Sequence, residues 1–477
     1  ASFANPLLLA MLQCSQNSAQ GSLESMDPMP VEGSPETLAE CLSTECPVPV
    51  EAGLPARAAV TTLTQNVLGS GVLALPYAMC SAGILGGLAL LIFVYLLSVF
   101  TMSILVVLSN TLGTFSYYGA AQLTAGRRTA MWAEIWVLCT NVGLCISYVI
   151  VLGDFSFALA QKFGFAAWTS KEECMAVLVV CICWPLSCAP SLGFLRWMSM
   201  LGLLSVLFCA LVAGVRYWDG SYFPDSGPPS LSSFNPSSFG QCFPILVGAF
   251  GAHTNIPLLY KELAPGAKTP NWGRTEAGKA DFWKMIKVIT ISLTIACCVY
   301  GWVGIIVYAT FGFETKGDFS DNFRPDDQLL VVLRLTMACA ICSSFALMMI
   351  SARTAACNLF LYPLGFVVTP VLRTMAATCL TAICLGVAVV AKQIDTVLAY
   401  NGSVFATPVC FVAPPLMYLC LPRQSRRRSS SCLCALSAFA GLAFGLYGFW
   451  VTLHKKTIKE EAWVGWQMFT TRHLRMA

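Results

Sequence analysis

Apolar runs long enough to cross about 30 Å of hydrocarbon recur along the chain after residue 54, with polar residues gathered in the joints between them. This pattern predicts eleven transmembrane helices, at about residues 57–80, 83–109, 131–161, 174–190, 194–218, 239–261, 284–311, 328–361, 369–391, 393–421 and 431–453. The first and the sixth are interrupted at their centres by glycine. The first reads Gln65-Asn66-Val67-Leu68-Gly69-Ser70-Gly71-Val72-Leu73-Ala74-Leu75-Pro76, and the sixth reads Gly248-Ala249-Phe250-Gly251-Ala252-His253-Thr254-Asn255-Ile256-Pro257. In lipid every backbone N–H and C=O must be bonded internally, so a segment that gives up helix at mid-depth lines a cavity within the protein. Breaks at these two places are what a pair of five-helix repeats of opposite orientation would produce, over about 57–218 and 239–421, with 431–453 as an extra peripheral helix.

Composition agrees with the pattern. With 57% hydrophobic and 11% charged residues and a mean hydropathy of +0.70, the chain lies far from the soluble average of about a quarter charged. It reads as an all-α polytopic membrane protein. A formal charge of +4, scattered over 477 residues, excludes a nucleic-acid partner and leaves the lipid bilayer as the surrounding one. Arg127 and Arg128, then Lys261, Lys268, Arg274 and Lys279, then Arg423, Arg426, Arg427 and Arg428 mark alternate loops as basic, which puts the N-terminus in the cytoplasm. Plasma membrane and vacuolar or lysosomal membrane fit equally. Residues 1–54 carry Glu24, Asp27, Glu32, Glu36, Glu40, Glu45 and Glu51 and read as an acidic, disordered tail; 454–477 form a C-terminal tail. The cysteines fall mostly inside apolar runs, as small polarizable packing residues do.

Enzyme signatures are absent: there is no zinc-binding His-Glu-x-x-His, no P-loop and no Gly-x-Ser-x-Gly. No cofactor is expected. Without a nucleotide site, any uphill transport must run on an ion gradient. The breaks supply the chemistry instead. Gly69-Ser70-Gly71 lets the chain leave helix, and a second half-helix starting near Val72 would aim its N–H groups at an anion such as a carboxylate. Unwinding of the sixth segment would free carbonyls at Ala249 and Phe250 for an ammonium. Small residues also serve simply to pack helices closely. His253, which alone among the histidines falls within a predicted span, is a packing residue, a gate or a pH-sensing group. Ser343 and Ser344 in the eighth span offer two hydroxyls to Na⁺ or, more commonly for serine in helices, bond a neighbouring carbonyl. Glu134 is placed facing the headgroups, and the Asn401-Gly402-Ser403 sequon falls inside the tenth span, out of reach of glycosylation.

The string Ala249-Phe250-Gly251-Ala252-His253-Thr254-Asn255-Ile256-Pro257-Leu258-Leu259-Tyr260-Lys261-Glu262-Leu263 resembles the pattern of the amino acid/auxin permease family, nearest to its branch of sodium-coupled neutral amino acid transporters. The Asn66 to Met79 stretch resembles the opening motif of the same family. The resemblance implies a five-plus-five inverted repeat of the amino acid-polyamine-organocation type, alternating access, an amino acid substrate and a monomeric transport unit. Carried over by position, Gly69, Ser70 and Gly71 take the substrate carboxylate; carbonyls of Val67, Ala249 and Phe250 take its amine, with His253 close by. The sodium site falls on carbonyls of Gln65 and Leu68 and hydroxyls of Ser343 and Ser344. Members of the branch have Asn four residues before the first glycine; here Gln65 stands there and Asn66 follows. A one-residue shift turns a side chain by about 100° on a helix, so the coupling ion is Na⁺ or H⁺. A sensor with the same fold and little flux is the alternative reading.

Overall fold

The computed structural model describes residues 54–454, except 70, 166–169, 189–195, 224–228, 230, 237–238, 265–274, 325, 365–367, 392, 424–425 and 427. Both tails and Ser70 therefore lie outside the described residues, among which there is no strand. The helices are α1 (Ala56–Leu68), α2 (Gly71–Ala82), α3 (Ile84–Leu112), α4 (Tyr117–Lys162), α5 (Lys171–Leu178), α6 (Arg196–Asp219), α7 (Phe239–Ala249), α8 (Ile256–Leu263), α9 (Glu276–Phe311), α10 (Gln328–Ala356), α11 (Pro370–Ala391), α12 (Ile394–Tyr400) and α13 (Arg428–Leu453). α5 runs on through a π-turn at Val179–Cys183 into Trp184–Ser187, and α12 continues through π-turns at Asn401–Ala406 and Pro408–Val412 into Ala413–Cys420.

Eleven apolar segments were expected. Among the described residues nine helices have the length and hydropathy to cross a membrane, and the bent pair α1 and α2 makes a tenth. The fourth expected span is helical from Lys171 to Ser187, too short by the same measure, and residues 189–195 after it lie outside the described residues, so eleven is not confirmed among the described ones. The third is longer than its apolar core suggests: α4 starts at Tyr117, capped by Ser116, and kinks at Gly126 (φ 83°, ψ 170°) just before Arg127.

Both broken segments are present. α1 stops where Gly69 takes φ +25° and ψ −138°, a conformation open to glycine, and α2 resumes one residue before the expected Val72, bent by 51° from α1. The sixth segment stops at Ala249, passes through a single 3₁₀ turn at His253–Asn255 and resumes as α8. The second break mirrors the first. α2 packs on α7, α3 on α9 and α4 on α10, so the first three segments of one half meet the first three of the other. The breaks sit where these pairs converge, and the core around them is fully buried.

One loop between α9 and α10 buries a carboxyl group. Asp318 accepts the Ser320 amide at 2.8 Å through Oδ1, while Oδ2 has no partner. Burial, then the carboxylates of Asp321 and Asp154, push its acidity constant well above the usual carboxylate range. A folded form that holds its proton more tightly than the unfolded chain is stabilised at low pH and loses that stabilisation as pH climbs beyond about 4. Asp318→Asn keeps the Oδ1 acceptor and removes the titration. Melting curves of the purified protein should show this variant more stable than wild type at neutral pH and equal to it at pH 4; a lower midpoint at pH 7 would contradict the sign.

Candidate functional site

The ends of α1 and α7 point at one atom. The Tyr300 hydroxyl, carried by α9, lies 2.6 Å from the Val67 carbonyl oxygen, 3.4 Å from that of Leu68 and 3.0 Å from that of Ala249. Tyr300 is completely buried, and Phe250 meets its ring edge-on with centroids 5.3 Å apart. Last-turn carbonyls of a helix have no intrahelical donor and carry the negative end of its dipole, roughly half an elementary charge. Two such ends converge here. The positive end of α2 starts a few residues away, at Gly71.

Glycine is required at both described positions of the first break, for different reasons. At Gly69 the positive φ excludes most side chains, and a Cβ would come within 2.8 Å of the Tyr148 hydroxyl on α4. At Gly71 the backbone is ordinary helix, but a Cβ would lie 2.7 Å from Tyr300 Oη, 2.8 Å from Ala249 Cβ and 2.9 Å from Ala249 Cα. Close packing of α2 against α7 and access to the convergence point are thus one constraint. Of the expected amine ligands, the Val67 and Ala249 carbonyls meet at Tyr300. The Phe250 carbonyl does not join them: it accepts the Ala252 amide at 2.8 Å, because the chain turns tightly before the 3₁₀ segment.

His253 stands apart from this point. Its Nε2 is 2.9 Å from Thr101 Oγ1 on α3, and its ring packs edge-on against Phe411. The Thr101 hydroxyl also lies 2.9 Å from the Leu97 carbonyl, to which it can donate. The two residues after His253 reach other helices: Thr254 donates to Asn141 Oδ1 of α4 at 3.3 Å, and Asn255 Oδ1 accepts from Ser351 of α10. The turn between the half-helices therefore ties three separate helices together.

Each oxygen expected to hold Na⁺ has a protein partner in this structure. The Gln65 carbonyl accepts the Gly69 amide at 3.1 Å, that of Leu68 faces Tyr300, and Ser343 donates back to the Ala340 carbonyl at 2.8 Å. The Gln65 side chain reaches across to α10, where Nε2 donates to both Ser344 Oγ and the Ala340 carbonyl at 3.1 Å. Oε1 of the same amide is buried with no partner, an oxygen acceptor of the kind a hard cation takes, while the N–H₂ end fills the side of the gap that faces α10. Asn66 points elsewhere, lining a small cavity with Thr62, Asn255 and Leu347, as a turn of about 100° per residue demands. Glu134 does not face headgroups: it is 3% exposed and accepts the Asn358 amide at 2.6 Å.

Tyr300 and Tyr148 were missed in the sequence. The available signal was a tyrosine inside an apolar span, where its hydroxyl must find a buried partner.

Two broken helices at the centre of paired helical repeats define the class of membrane transporters built on a five-plus-five inverted repeat. Solved structures agree on the fold. MHP1, a nucleobase-cation-symport-1 family transporter in a closed conformation, superposes with a TM-score of 0.55 at 14% identity over 86% of this chain and 93% of its own. A manganese transporter of Eremococcus coleocola does so with 0.56 at 12%, over 91% and 99%. Residues 53–454 match the family described as transmembrane amino acid transporter protein, and the chain belongs to that family. Among its relatives, the amino acid transporter AVT6E of Arabidopsis thaliana is 26% identical over 56% of this chain, and solute carrier family 38 member 8 of Mus musculus 25% over 68%. The match spans 54% of AVT6E and 73% of the mouse protein, and with AVT6B of Arabidopsis at 59% the chain spans about half the length of several curated relatives.

Proposed function

We propose that this protein is a secondary active transporter of neutral amino acids, working by alternating access about the two broken helices. The observation that carries the reading is the convergence of the Val67, Leu68 and Ala249 carbonyls on one point beside the N-terminus of α2. A zwitterion has the matching shape: its ammonium meets the negative ends of α1 and α7, and its carboxylate meets the N-terminus of α2, which opens at Gly71. The side chains named around this point, Tyr148, Phe250 and Tyr300, are aromatic and uncharged, which supports a substrate whose own side chain is neutral. Its membrane, plasma or vacuolar/lysosomal, is the same for the mechanism, and the basic loops support a cytoplasmic N-terminus.

The finer proposal concerns the driving ion. The Gln65 amide occupies the gap between α1 and α10 where the resemblance sets Na⁺, and this supports coupling to H⁺. The test is uptake of labelled amino acids into liposomes. Replacing Na⁺ by choline should change initial uptake by less than about twofold, whereas an inward proton gradient should drive accumulation and its collapse should abolish it. Uptake that needs Na⁺ at every pH would return the coupling to Gln65, Leu68 and Ser344; binding without accumulation under either gradient would sink the transporter reading.

A further inference from the structure

We propose that the Tyr300 hydroxyl is an internal surrogate for the substrate's ammonium, bridging the two broken helices when no amine is bound and yielding its place when one arrives. The inference rests on the amino acid reading above and adds to it the residue that competes for the site.

The stoichiometry of donors makes the case. A phenol carries one proton, yet three carbonyl oxygens lie within 3.4 Å of Tyr300 Oη, from Val67, Leu68 and Ala249. One proton satisfies one acceptor well and a second only by sharing. Last-turn carbonyls have no helical donor of their own, so the point stays short of protons. A primary ammonium brings three donors and a positive charge to two converging negative helix ends, and supplies what the phenol lacks. The hydroxyl is held there by its surroundings: Tyr300 is fully buried, Phe250 packs on its ring, and Gly71 leaves room for Oη with no Cβ in the way. Because Val67 and Leu68 belong to α1 and Ala249 to α7, the same hydroxyl ties the two half-helices together. Displacing it therefore loosens that tie as the substrate binds.

Two consequences separate competition from plain packing. Removing the hydroxyl leaves the carbonyls unpaired in the empty protein, so an amine should bind more tightly, while the empty carrier loses the bond that lets it reset. Tyr300→Phe should accordingly bind the preferred amino acid about tenfold more tightly, the scale of one hydrogen bond to buried acceptors, and turn over more slowly. KM and kcat should fall together. A packing defect would instead weaken binding or leave it unchanged.

The experiment takes the detergent-purified full chain and screens the twenty proteinogenic amino acids by thermal shift, then titrates the strongest binder and its des-amino analogue, the matching carboxylic acid, against wild type and Tyr300→Phe. Tighter amino acid binding by the variant, with the des-amino acid unaffected, is expected. Equal or weaker amino acid binding by a variant that elutes and melts like wild type overturns the inference alone. Binding of none of the twenty by either protein overturns the amino acid reading and this inference with it. Should the variant fail to fold, 3-fluorotyrosine placed at position 300 gives the second measurement: its ¹⁹F resonance should move on saturation with the amino acid and stay in place with the des-amino acid, and an unmoved resonance at saturation overturns the inference.

Discussion

Gly71→Val should abolish amino acid uptake in liposomes, to less than about a hundredth of wild type, while the protein still reaches the membrane and elutes as a single species. Alanine at the same position already meets three atoms within 2.9 Å. One of them, Tyr300 Oη, is the far end of a side chain; the others are the Cβ and backbone Cα of Ala249. A phenol can swing away, but α7 has to be pushed off α2. Overpacking of this kind costs about 1–3 kcal/mol, less than a net stability of about 5–15 kcal/mol, so the fold should survive. Function should not. The added methyl stands between the N-terminus of α2 and the carbonyls that converge on Tyr300, so the proposed carboxylate and ammonium subsites are spread apart together. Gly71→Ala should lie between, with uptake lowered about tenfold, since misplacement by an ångström costs that much or more. Wild-type uptake by the valine variant would show that the break is not the site.

Both helix breaks were legible in the sequence. Gly69 and Gly71 announced the first break, Gly248 and Gly251 the second, and their positions at the head of two five-helix halves followed from counting apolar runs. Backbone chemistry transfers well from sequence because a helix that must stop in lipid has few ways to do so. Side-chain chemistry did not transfer. Whether the Ser343 hydroxyl faces an ion or its own helix depends on a rotamer, and it bonds Ala340 one turn back. Gln65 could be placed on α1, but its reach to Ser344 depends on α10 lying alongside, and on Gly202 of α6 leaving room: a Cβ there would sit 2.5 Å from Gln65 Cδ. Tyr300 was the largest omission. It comes from a different segment than either break, 51 residues from Ala249 and 233 from Val67, and no local pattern links a lone tyrosine to carbonyls so far away.

Gly402→Ala should remove most of the folded protein, leaving roughly a tenth of the wild-type monodisperse peak in size-exclusion chromatography of detergent extracts. In the sequence this glycine sits in what reads as a glycosylation signal, Asn401-Gly402-Ser403. The fold gives it another task. Asn401 is 3% exposed and donates from Nδ2 to the Thr140 carbonyl at 3.2 Å, so no sugar could reach it. Gly402 lies in the π-turn that follows α12, pressed against Pro244 inside α7: a Cβ would fall 1.9 Å from the Pro244 carbonyl oxygen and 2.6 Å from its carbon. Unlike the contacts at Gly71, these are all backbone, and no rotamer relieves them. Pro244 is also met by Gly448 of α13, where a Cβ would lie 2.4 Å from the proline ring, so α7 is clamped between two glycines and cannot retreat. A π-turn widens the helix by one residue and proline removes a donor; both irregularities meet at this contact. Gly386→Ala on α11, where nothing lies within 4 Å of the added carbon, is the control and should keep the full peak. A normal peak for Gly402→Ala would mean that α7 and α12 do not approach this closely, and with it the position of the second broken helix would have to be redrawn.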